Sequence, residues 1–269
     1  MRKLRFAALA AMMMSAAVSC MNEIDDFGSD VSIDGEVVFT ASVPGAETKA
    51  VLDGNKSWWQ NGDKITVHNG TKGFEFVTSL SENAQKADFS YGGTDFTATD
   101  DGVIAVYPAG LVTSADIAKK SVNASVPASQ RATAGSYDKD AALAVAFSQT
   151  DKLQFRNAVA LVKFTVTVPN VKGAVFAGNN GEPVAGNVQV VLNEDNSIGG
   201  VTVLPTSVDG AEPALCTEVG LYAEGDGFLT PGTTYYIAVA PTTFTKGFAL
   251  DLVVDGERHR VKNIDKEYI

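Results

Sequence analysis

The chain has 269 residues, 45% of them hydrophobic, and carries 21 Lys+Arg against 32 Asp+Glu for a net charge of −11. A field of that sign repels nucleic acid and anionic headgroups, so nucleic-acid partners are excluded. Two cysteines in the whole chain exclude CxxC-type metal or redox sites.

The N-terminus is the most informative stretch. Arg2, Lys3 and Arg5 form a basic start, Phe6 to Val18 is apolar apart from Ser15, and the run closes on Ala17, Val18, Ser19 and Cys20. This is the layout of a secretory signal peptide. An apolar run of about 13 residues is too short for a helix to cross a ~30 Å hydrocarbon core. Ser19 and Ala17 ahead of Cys20 resemble the lipobox of bacterial lipoproteins, in which the cysteine thiol is acylated and its amino group becomes the new terminus. Residues 1–20 are therefore expected to be a lipoprotein signal peptide and Cys20 the lipidated residue, with several acyl chains such as palmitate holding the protein on a membrane. The signal carries three of the basic residues and none of the acidic ones. That leaves 18 Lys+Arg against 32 Asp+Glu, a net of −14.

Residues 21–35, with Glu23, Asp25, Asp26 and Asp30, are acidic and lack periodicity, as in a flexible tether. They resemble the acidic segment that directs lipoproteins of Bacteroides-type bacteria to the outer face of the outer membrane, which makes the cell surface the expected location. With Cys20 lipidated, Cys216 is left without a disulfide partner and is expected to be a small buried side chain.

From residue 36 onward the pattern is that of strands. Val, Thr and Phe are frequent, the chain holds 25 glycines, and turn signals recur every 8–12 residues. Glu36 to Ser42 is a strand. Lys64 to His68 alternates, placing Ile65 and Val67 inward and Thr66 and His68 outward. Gly73 to Val77 repeats this with Phe74 and Phe76. Gly102 to Tyr107 is continuously apolar up to Pro108. In Val159 to Val168, Val162, Phe164, Val166 and Val168 share one face; this strand is expected to close a first sandwich. Thr234 to Ala240 is another strand. Phe248, Leu250, Leu252 and Val254 line a face before Asp255-Gly256, a pair suited to a type I′ turn, and Glu257 to Lys262 is the return strand. Helical signals are few. Ser114 to Lys120 predicts one or two helical turns with Ser114 as N-cap, and Asp140 to Phe147 is Ala-rich but short. The fold class expected is all-β, built as β-sandwich. Residues 127–136 read as a loop and a second break falls at Pro169 to Gly173. The expected division is residues 36–170 for an N-terminal sandwich and 171–269 for a C-terminal one. The latter ends inside a strand at Val261 to Ile269, as a truncated domain would, or one whose final strand a partner supplies.

Three segments carry a family resemblance: Thr48-Lys49 followed by Trp59 to Val67 with Gly62-Asp63 inside it, Leu153 to Phe164, and Tyr235 to Phe248 through Pro241 and Gly247. Together with the lipobox they resemble the fimbrillin-like (Mfa-like) surface lipoproteins of Bacteroides-type bacteria, across roughly residues 36–269. The resemblance implies two transthyretin-like β-sandwich domains in tandem and a fimbrial subunit or fimbria-associated adhesion component that assembles by β-strand donation. The implied partners are other fimbrial subunits, or a host or bacterial surface protein or glycan. In fimbrial relatives a protease removes an N-terminal strand and a neighbour's strand fills the groove. The corresponding strand here lies within Ser32 to Ala46. The usual cleavage follows arginine, yet no arginine occurs between Cys20 and Arg131, and cutting at Arg131 would split the first domain. Lys49 is the alternative point of proteolytic maturation. Trp59, Phe155 and Phe164 are read as core.

Catalytic chemistry is not expected. His68 and His259 are the only imidazoles, neither has a nucleophile or carboxylate at motif spacing, and GxSxG is absent. The Asn193 to Ser197 stretch fails as an EF-hand, with Ile198 where the loop needs glycine, and Asp100-Asp101-Gly102 reads as a turn. No metal and no cofactor is called for. The competing reading is a glycan-binding surface lipoprotein for polysaccharide capture, with Trp58, and Tyr235 or Tyr236, as stacking platforms.

Overall fold

A computed structural model describes residues 37–43, 58–206 and 212–267. Cys20, the 21–35 tether and Lys49 lie outside the described residues. The fold is all-β, as expected. In chain order the strands are β1 (Val37–Ser42), β2 (Lys64–His68), β3 (Gly73–Thr78), β4 (Lys86–Tyr91), β5 (Val103–Tyr107), β6 (Val112–Asp116), β7 (Ser121–Val126), β8 (Ser129–Arg131), β9 (Ala144–Ser148), β10 (Lys152–Gln154), β11 (Arg156–Asn157), β12 (Ala160–Thr165), β13 (Val171–Gly178), β14 (Gly186–Leu192), β15 (Ile198–Val203), β16 (Glu218–Tyr222), β17 (Thr234–Val239), β18 (Phe248–Val254) and β19 (Glu257–Ile264). A 3-10 turn at Lys139–Ala141 is the one helical element among the described residues.

Four sheets result, ordered β10-β1-β4-β3-β2-β5-β9-β11, β12-β17, β19-β18-β13-β16-β8 and β15-β14-β7-β6. The continuous apolar run of β5 now has a cause. Val103 and Ala105 face an aromatic core with Trp59, Phe39, Phe76 and Phe89, while Ile104 and Val106 face a second core with Val122, Val188 and Phe176. A strand covered on both faces has no use for a polar alternation.

This sharing of β5 also bears on the domain boundary. After β5 the chain leaves the first sheet: β7 pairs with β14, and β8 runs parallel to β16. The sheets therefore do not divide at residue 170. Nor does the strand at 159–168 close a first sandwich, because β12 pairs antiparallel with β17 from Ala160↔Val239 to Thr165↔Thr234. Sequence periodicity reports which face is apolar but not which partner covers it, and both mistakes come from that gap.

Two local expectations also change. Ser114 to Lys120 is not helical: β6 runs to Asp116 and a turn follows, with Lys120 at φ 46°. Val112 and Ala115 pack on the core and β7 supplies a ladder, so pairing overrides the weak helical signal. Residues 127–136 include β8 rather than being loop throughout. Asp255 and Gly256 sit at φ 53° and 83°, the doubly positive turn expected, and β19 returns along β18.

Candidate functional site

Strand β12 has a partner on one side only. Among the described residues nothing pairs with its other edge. The Val166 N–H donates to the Thr233 carbonyl at 3.2 Å. By the alternation of an antiparallel ladder, Leu161, Lys163 and Thr165 then direct their N–H and C=O groups away from β17. Beside this edge lies an apolar groove of about 960 Å³ between β12 and β18, floored by Phe176, Phe244, Phe248, Leu250 and Leu252. Its cations are Lys163 and Lys262. Val168 and Val261, both on the groove wall, are 44% and 51% exposed.

Two other edges are defended. On β17, away from β12, the buried Gln130 side chain takes the place of a strand: its Nε2 donates to the Ala238 carbonyl at 2.6 Å and its Oε1 accepts from the Ala238 N–H at 2.9 Å. The outer strand β19 reads Glu257, Arg258, His259, Arg260 and is exposed from Glu257 to Asn263, the charged edge that discourages pairing. At β12 an unpaired backbone adjoins an apolar trough.

Trp58 is 46% exposed, as a ligand contact requires, whereas Trp59 is buried at 2%. Its indole N–H donates to the Ala41 carbonyl at 3.0 Å, which ties β1 to the body. Phe155 and Phe164 are core. Tyr235 and Tyr236 are buried at 4% and 7% and so offer no stacking face, a correction to the platform reading; the Tyr235 hydroxyl instead accepts from the Thr230 N–H. His68 does not face solvent as expected. It is 9% exposed, its Nδ1 accepts from the Gly70 N–H at 3.1 Å, and burial lowers its pKa. His259 is exposed. Cys216 is half-buried rather than buried, with its thiol on the Glu218 carbonyl at 3.4 Å. Asp195 closes a turn onto Ser197. Arg131 pairs with Asp140 and, at 3.6 Å, with the buried Asp138.

Sequence reading missed Gln130 and the groove. Gln130 sits in a stretch rich in Ser, Ala and Gln, where a buried amide has no local signature. The groove joins residues 160–168 to 239–262, a juxtaposition only topology creates.

No protein-family model matches the chain, and no curated protein matches it. Among solved structures, one described as a "putative cell adhesion protein" from Bacteroides uniformis is 18% identical at a TM-score of 0.46, covering 84% of this chain and 85% of that one. A second, described in the same words and from Bacteroides ovatus, is 10% identical at a TM-score of 0.41, with 83% and 84% covered.

Proposed function

We propose that the protein is a lipid-anchored adhesion component of fimbrial type, held in the outer membrane by acylation of Cys20 and displayed at the cell surface, that joins copies of itself by β-strand donation. The observation that carries this reading is the unpaired edge of β12 beside its apolar groove. An added strand would satisfy the free N–H and C=O groups and cover the trough together.

The occupant is the β1 segment of a second copy. It matches β12 in length, at six residues each. Asp34 and Glu36 precede it, opposite in charge to Lys163 and Lys262. The segment stays joined to the rest of its own chain through residues 44–57, so that a donated strand links two bodies; cleavage after Lys49, within that connection, would break the link.

Metabolic labelling with a fatty-acid analogue should tag the wild type and not Cys20→Ala. Unheated SDS samples from cells should show a ladder of multimers whose N-terminus is intact, retained in Lys49→Gln. Leu161→Pro removes an N–H from the free edge, where proline is tolerated, and should leave surface-exposed monomers. A wild type that remains monomeric rejects assembly; a ladder that survives Leu161→Pro rejects β12 as acceptor.

A further inference from the structure

The groove lies against the inner face of the five-stranded sheet; the outer face carries a different feature. Register aligns Arg131, Tyr222, Gly173, Val253 and Arg258 in one row across β8, β16, β13, β18 and β19. Directly opposed residues share a face, and Gly220 and Glu218, two and four residues before Tyr222, share it too. A side chain on a strand ordinarily stands away from the sheet. Tyr222 does not: a Cβ on either Gly173 or Gly220 would collide with its ring. The ring is laid down across both glycines, one face on the sheet and the other toward solvent, with the residue 38% exposed.

Fixed polar groups border this ring. Arg258 spans β18 and β13 to grip Glu218, its Nη1 donating to both carboxylate oxygens at 3.0 and 2.9 Å. Both side chains are 48% exposed. Arg131, held by Asp140, is the register partner of Tyr222 on the neighbouring strand β8, on the side away from Gly173.

We infer that this face is a saccharide-binding platform, with the C–H face of a pyranose ring stacked on Tyr222 and its hydroxyls bonded to Glu218, Arg258 and Arg131. An aromatic face held flat offers an apolar surface of sugar-ring size. The border supplies carboxylate acceptors and guanidinium donors, the two functions that a rim of hydroxyls needs at once. The paired charges add no net demand on the ligand, and the filled floor leaves no hole for a peptide side chain. The platform stands apart from the β12 groove and does not depend on strand donation.

The test is a printed glycan array probed with the purified full chain, followed by titration of the strongest hit. Tyr222→Leu keeps the floor covered but removes the aromatic face, and should weaken binding by about tenfold. Tyr222→Phe should stay within about threefold of wild type, since the stacking face is unchanged. Leu161→Pro should bind like wild type, which separates this site from strand acceptance. Three results overturn the inference: no glycan bound above background, Tyr222→Leu binding as wild type does, or loss of binding in Trp58→Ala with Tyr222→Leu unaffected.

Discussion

Trp58 and Trp59 are neighbours in sequence with opposite fates, and the pair gives a sharp test of how β1 is held. Trp59 is 2% exposed and meets Phe89, Tyr107 and Phe155 edge-on at centroid distances of 5.0, 5.0 and 5.5 Å. Its indole N–H also holds the Ala41 carbonyl in β1. Truncating a buried tryptophan to alanine costs about 3–5 kcal/mol in lost burial and residual cavity. Taking the donor from the Ala41 carbonyl adds about 1 kcal/mol. Trp59→Ala should therefore lose roughly 4–6 kcal/mol, a large part of the ~5–15 kcal/mol that holds an ordinary domain together. At a urea slope of about 2–3 kcal/mol/M, the midpoint falls by roughly 1.5–3 M. Trp58→Ala, at an exposed site, should stay within about 0.5 kcal/mol. Amide exchange should accelerate first along β1, from Phe39 to Ser42, because the tie to Ala41 is gone. The reasoning is refuted if the two variants shift the urea midpoint equally, or if β1 exchange is unchanged in Trp59→Ala.

Three other outcomes follow from the same structure. His68 has its folded pKa below the unfolded value because burial disfavours the cation; the stability this gives is present above the unfolded pKa and is lost as pH falls through 6.5 toward the folded value. The urea midpoint should consequently drop more between pH 7.5 and 5.5 for wild type than for His68→Gln. Gln130→Ala leaves the Ala238 N–H and carbonyl without partners in a buried setting, and calorimetry should register a loss of about 2–3 kcal/mol. Gly247 sits at φ 77° and a Cβ there would strike the Ile264 carbonyl, so Gly247→Ala should cost about 2–3 kcal/mol and speed tryptic cleavage at Arg260 and Lys262, both on the strand it dislodges.

What the sequence made legible was local. The faces of β2, β3 and β18, the Asp255-Gly256 turn and the burial of Trp59 depend on alternation, backbone handedness and side-chain size, all written within a few residues. Partner choice is not local. Val162, Phe164 and Val166 announce an apolar face without saying that β17, some seventy residues later, is the neighbour. The same gap hid the groove, whose floor and rim come from distant segments. His68 was misplaced for a related reason: alternation assumes one wet face, and β2 lies between β3 and β5 in an eight-stranded sheet.

The treatment of sheet edges joins these observations into one argument. Every open sheet must end somewhere, and an unguarded end invites another strand. Here the guards differ by edge. Charge protects β19, and a side-chain amide from Gln130 occupies the backbone groups of Ala238 on β17. A chain that spends a buried glutamine to block one side of a two-stranded sheet, yet leaves the opposite side bare over five large apolar side chains, treats those sides differently. If β12 were an ordinary exposed edge, a lysine or glutamate in place of the exposed Val168 or Val261 on the groove wall would cost little and would guard against aggregation. Replacing Val168, 44% exposed on the groove wall, by lysine makes that comparison directly. The variant should fold with the groove charged, and its multimers should disappear along with those of Leu161→Pro, while glycan binding at Tyr222 persists. Multimers that survive a cation on the groove wall would mean that the trough is not where copies meet.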